Sequence, residues 1–309
     1  MPGERINRRT KAVLVAGGAG IVILSLYTFL AALPSNLDPA CCGSQLAAKD
    51  FSAYYVGLWR PIHDTSQVYT RGFINDGEIH VYPVQEQFKY LPSFLLMISP
   101  LALLGYQQAI TAFDIFQLSL LPFIGFLVYR LTKTRGLFVA FLVVLIVLLL
   151  PSPVPGWGLS IPYFWLWSQG QAKVLEAFLI LAAFYAGASK FPVASGVSLG
   201  LSFFDPRFAL LAIPLFVMYN RGSLRAAGVA LAASLIVSNF AFFLSPGMGA
   251  GFIRMIFSTG LTTAPYPYVL IPIVPIAILW IMNYREVNTD WSGAFVKLKT
   301  IATQESRDP

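Results

Sequence analysis

Long apolar runs separated by short basic clusters organise this chain. The first run covers residues 12–33, behind Arg5, Arg8, Arg9 and Lys11. It is about 20 residues long, enough to cross a bilayer. A secretory signal would have a shorter apolar core and a small-residue cleavage site, so a retained helix with a cytoplasmic N-terminus is predicted. Further runs follow at 107–131, 137–151, 174–188, 192–204, 208–219, 226–244 and 266–284. Arg130, Lys133 and Arg135, then Lys190, Arg221, Arg225 and Arg285, lie between them. The runs at 192–204 and 208–219 are too short for simple crossings. They predict a tilted hairpin, or broken helices that turn at Asp205-Pro206 with protein or water around the non-helical backbone.

One polar stretch interrupts the pattern, at 34–87, and a short apolar segment at 92–104 follows it. If 92–104 crossed the membrane, the cluster Arg130, Lys133 and Arg135 would fall outside. If it lies flat in the outer interface, or is re-entrant, the basic clusters between later runs fall inside. The segment is short and Pro100 interrupts it, which favours the flat arrangement. The prediction is therefore an all-α polytopic membrane protein with about eight transmembrane helices. Residues 1–284 form a single transmembrane domain. Within it, 34–106 is a large first extracytoplasmic loop containing short interfacial helices. Residues 285–309 form a polar cytoplasmic tail, so both termini are cytoplasmic.

Composition agrees with this class. Hydrophobic residues make up 57% of the chain and charged residues 11%, with a mean hydropathy of +0.68. Soluble domains carry about 25% charged residues. The net charge of +7 comes from clusters that orient spans, so no nucleic-acid partner is implied. The two cysteines are the neighbours Cys41 and Cys42, which imply no disulfide framework. No phosphate-binding or dinucleotide loop, nucleophile elbow or Cys/His cluster occurs, and His63 and His80 are too far apart for a local metal motif. Neither a metal nor a cofactor is expected.

Four groups of polar residues carry candidate chemistry. Lys49-Asp50 precedes Tyr54 and Tyr55, just beyond the first span. A carboxylate there can take a proton from an attacking hydroxyl, or cap a helix, and the two roles are compatible. Phe88-Lys89-Tyr90-Leu91-Pro92 offers a lysine for a lipid phosphate, although aromatic and basic residues belong at an interface in any case. Gln171 and Lys173 sit at the mouth of run 174–188. Gln171 suits sugar hydroxyls, while Lys173 can pair with Glu176 on the same helical face. Asp205-Pro206-Arg207 and Arg254 complete the set. Charges at membrane depth are costly and so are functional candidates, with an Asp205–Arg207 pair as the alternative. Asp114 is either buried or functional on the same argument.

In order and spacing, these groups resemble the GT-C glycosyltransferases, most closely glycosyltransferase family 87. The resemblance runs over 50–225. It rests on Asp50-Phe51 with Tyr54-Tyr55, Val68-Tyr69, Phe88-Lys89-Tyr90-Leu91-Pro92, Gly170-Gln171 and the stretch from Gly196 to Pro206. It implies a GT-C-like fold and an inverting transfer of a sugar, with mannose expected, from a polyprenyl-phosphate donor at the extracytoplasmic face. The acceptor would be a hydroxyl of a lipid, glycan or protein. Asp50 would be the catalytic base. Tyr54, Tyr55, Lys89, Tyr90, Gln171, Lys173, Asp205, Arg207 and Arg254 would bind substrate. Membrane lipids and partner subunits in the plasma membrane are the other expected partners. The chain departs from the pattern in having Tyr90-Leu91-Pro92 for Tyr-Pro-Pro, Lys173 for an Asn and Asp205 for a Lys. It is also shorter than typical members. A catalytically inactive GT-C-like subunit is therefore the main alternative, and a lipid or solute transporter the next.

Overall fold

A computed structural model describes residues 49–63, 68–69, 88, 90–132, 170–220, 224–259, 276–277 and 279. The side chains at 49–50, 59–63, 207 and 256–259 are not among those described. The expected spans at 12–33 and 137–151, most of 266–284, the Cys41-Cys42 pair, Lys89 and the tail 285–309 lie outside the described residues.

Among the described residues every regular element is helical. In chain order these are α1 (Lys49–His63), α2 (Ser93–Ile98) with a 3-10 turn over Ser99–Leu103, α3 (Tyr106–Thr132), α4 (Lys173–Ala188), α5 (Pro192–Ser202), α6 (Pro206–Tyr219), α7 (Leu224–Leu244) and α8 (Pro246–Thr259). Prolines set several boundaries. Pro192, Pro206 and Pro246 each open a helix, where their missing N–H costs nothing. Pro100 cannot donate back along α2, and the chain tightens there into the 3-10 turn.

Among the described residues two helices, α3 and α7, are long and apolar enough to cross a membrane. At 27 and 21 residues they measure about 40 and 31 Å, against a hydrocarbon core of about 30 Å. Their outward faces carry large apolar side chains, including Ile115, Phe116, Phe123 and Phe126 on α3 and Leu235, Ile236, Phe240 and Phe243 on α7. The segment 93–103 spans only about 19 Å, too short to cross.

α3 and α4 run in the same direction. Near their C-terminal ends, Arg130 lies over the Tyr185 ring and Phe126 meets it edge-on. The end where both helices begin is called the upper end below. At the lower end, Lys190 adopts a left-handed conformation (φ 65°), and the Phe191 N–H bonds Ala186 O at 2.9 Å. This six-residue closure ends α4 and turns the chain into α5. α5 rises beside α7 at very short range. A Cβ on Gly196 would lie 2.1 Å from Ala230 O, and one on Gly200 2.6 Å from Ser234 O. Glycines four apart let two helix backbones touch, the mode favoured where lipid removes the hydrophobic drive to associate. α6 then descends, and Asn220 beyond its end donates to Ser195 Oγ at 2.9 Å. The shortness of 192–204 and 208–219 is thus resolved as two separate helices broken at 203–205.

α8 lies between the apolar runs at 226–244 and 266–284, where the hydropathy pattern predicts no span. Gly247, Gly249 and Gly251 lower its helix propensity. Proline at the start and packing of Phe252 against Phe242 (5.7 Å) and Tyr69 (5.6 Å) outweigh that deficit.

Candidate functional site at the upper end

α1 forms the first wall, with every described position from 51 to 58 buried. Phe51, Tyr54, Tyr55 and Leu58 follow helical spacing and are all buried. Phe51 meets Tyr106 and Phe113 of α3 at 5.7 and 5.5 Å. Tyr54 sets its ring edge-on to Phe94 at 4.9 Å, and its hydroxyl donates to the Tyr90 hydroxyl at 3.1 Å. Tyr55 donates to Leu104 O at 2.7 Å, tying α1 to the end of the 3-10 turn. The backbone places Asp50 in the first turn of α1, one residue before Phe51. The helix already includes Lys49.

A second wall comes from the turn before α4. Gly170 has φ +64°, and a Cβ there would lie 2.5 Å from Phe51 Cβ. Only glycine combines that backbone with that approach. Gln171 and Lys173 follow directly and are buried.

The elbow between α5 and α6 closes the site. Leu91 N–H donates to Phe204 O at 3.1 Å, and Phe94 stacks on Phe204 at 4.6 Å. These contacts join the loop segment to the elbow and bring Asp205 to α4. There the Lys173 ammonium contacts Asp205 Oδ2 at 2.5 Å and Glu176 Oε2 at 3.1 Å, and lies 4.4 Å from the centre of the Phe208 ring. Lys173 is 1% exposed, Glu176 0% and Asp205 2%. Such burial is tolerable only because the charges meet one another. The expected Lys173–Glu176 pair is present, and Asp205 joins it. For Asp205, the pairing seen is with Lys173. The backbone of Arg207 stands in the first turn of α6.

The triad is buried at the start of α4. α7 continues about 15 Å past Ser234, the level of Gly200, whereas α5 ends only about 3 Å past that level. Two more residues extend the wall upward. Tyr69 donates to Tyr90 O at 2.9 Å, and burial pushes its phenol pKa up. Phe252 of α8 covers Tyr69, and Arg254, two residues on, is exposed.

The sequence groups around Asp50, Tyr90, Gln171/Lys173 and Asp205 are therefore neighbours in space, with Arg254 at the periphery. Sequence reasoning did not single out Gln117, which is buried on α3 one turn below Phe113. Its polarity within an apolar stripe was the available signal. No group of three or more His, Cys, Asp or Glu able to hold a metal occurs among the described residues. No family model, characterised protein or solved structure matches the chain.

Proposed function

We propose that this chain is a membrane glycosyltransferase of GT-C type. It would move a sugar, mannose by preference, from a polyprenyl-phosphate donor to an acceptor hydroxyl at the extracytoplasmic face of the plasma membrane. The observation that carries this reading is convergence. Four polar groups scattered between residues 50 and 205 meet at one end of a helical assembly whose two longest helices suit a bilayer.

In the proposed reaction the acceptor oxygen attacks the anomeric carbon and the bond to the lipid phosphate breaks, with inversion. Asp50 takes the acceptor's proton. The departing phosphate keeps the electron pair, and nearby cations stabilise its charge. Lys89, Arg207 and Arg254 are the cations for that role. Lys173 serves instead to hold the elbow, since two carboxylates and the Phe208 ring already surround it.

That enclosure also favours a second reading, a GT-C-like membrane subunit without activity of its own. Transfer from labelled polyprenyl-phosphate mannose by the purified protein separates the two. Turnover in the parent that falls about 100-fold or more in Asp50→Asn supports the enzyme and its base. No donor-dependent turnover in the parent supports the inactive subunit. Turnover that Asp50→Asn leaves intact removes Asp50 from the mechanism.

A further inference from the structure

Gln117 leaves its whole side-chain amide bare inside α3, where Thr132 Oγ1 is also without a hydrogen-bond partner among the described residues. Gln117 is 0% exposed, and neither its amide oxygen nor its amide nitrogen has a hydrogen-bond partner among the described residues. Buried polar side chains are nearly always satisfied, because leaving one bare is destabilising. The residue stands on the inward face of α3, in the buried series Ile110, Phe113, Asp114, Gln117 and Leu121. Phe113 is four residues, or about 6 Å, higher, and its ring packs against Phe51. Phe51 in turn abuts Gly170. Gln117 thus stands one helical turn below Phe113, whose ring meets the wall of the candidate site, on the helix that packs against α4.

An apolar residue would suit this position better in an unliganded fold. A stability cost kept inside a packed core marks a group whose partner arrives from elsewhere. An amide offers two donors and an acceptor and no charge, which suits hydroxyl groups better than phosphate. We infer that Gln117 is a ligand-binding residue whose amide hydrogen-bonds hydroxyls of the sugar carried by the donor. The inference rests on the glycosyltransferase reading. Access requires the Phe51–Phe113 contact to part.

The test is Gln117→Met, close in shape but without the amide, measured in purified protein with short-chain polyprenyl-phosphate mannose as the probe. The expected result has two halves. The thermal midpoint without donor rises by about 2 °C or more, because a bare amide has been removed from the core. Sugar transfer and the donor-induced rise in midpoint both weaken, transfer by about 10-fold or more. Gln117→Asn, which retains an amide, should recover part of the transfer. A lowered midpoint in Gln117→Met would mean that the amide has a structural partner, and would overturn the inference. So would a raised midpoint with unchanged transfer and donor response. A parent protein that shows neither transfer nor a donor-induced shift would sink the glycosyltransferase reading first, before any substitution is compared.

Discussion

Replacing Lys173 by Met isolates the interaction on which the elbow depends. The substitution keeps an unbranched chain of similar length and removes only the charge. Coulomb attraction at an effective dielectric of about 20 is roughly 5 kcal/mol across 3.1 Å and roughly 7 kcal/mol across 2.5 Å. Those gross values are largely offset by desolvating three ions, each costing several kcal/mol. The net contribution of the triad is therefore small, but the effect of removing the lysine is not. Glu176 and Asp205 remain buried without the ammonium, and breaking a buried pair in this way costs about 3–5 kcal/mol. The thermal midpoint in detergent should fall by at least about 6 °C. A double-mutant cycle with Asp205→Asn should return about 1–3 kcal/mol of that loss, because the second change removes one of the two buried carboxylate charges. Unfolding followed by intrinsic fluorescence reads both quantities. A Lys173→Met protein within about 0.5 kcal/mol of the parent, with no coupling to Asp205→Asn, would refute the triad as the fastening of the elbow.

Three further outcomes follow from backbone geometry. Gly196→Ala places a methyl 2.1 Å from Ala230 O, so α5 and α7 must separate; stability should drop by about 1–3 kcal/mol or more, read by thermal unfolding. Gly170→Ala meets both a left-handed backbone and Phe51, and should cost about 1–2 kcal/mol for the conformation alone, with sugar transfer reduced if the enzyme reading holds. Lys190→Gly relieves the left-handed strain at an exposed position, and should raise stability by roughly 0.5–1 kcal/mol once the extra freedom of glycine in the unfolded chain is deducted.

Much of the architecture was legible in the sequence because it depends on local chemistry. Apolar runs, with proline at or near several helix starts, located α3, α4, α5, α6 and α7 to within a few residues, and Pro100 marked the break in the segment 93–103. The break at Asp205-Pro206 was legible for the same reason. The four polar groups were also visible, since charge and amide groups stand out in an apolar chain. Their mutual geometry was not. Lys173 could be matched with Glu176, three residues on, from helical spacing alone. Its contact with Asp205 joins residues 32 positions apart, and depends on where the elbow is carried. α8 was not legible in the apolar pattern, since its glycine-rich composition opposes a helix, and its Phe252 packs on Tyr69 and Phe242. Gly196 and Gly200 carried a readable spacing, but their meaning required the α7 backbone beside them. The sequence by itself therefore determined the helical class, the order of apolar elements and the candidate polar residues, all set by neighbours along the chain. Tertiary structure alone decided which charges meet, which glycines bear contacts and which buried amide stays bare, because those follow from distances that no local pattern encodes.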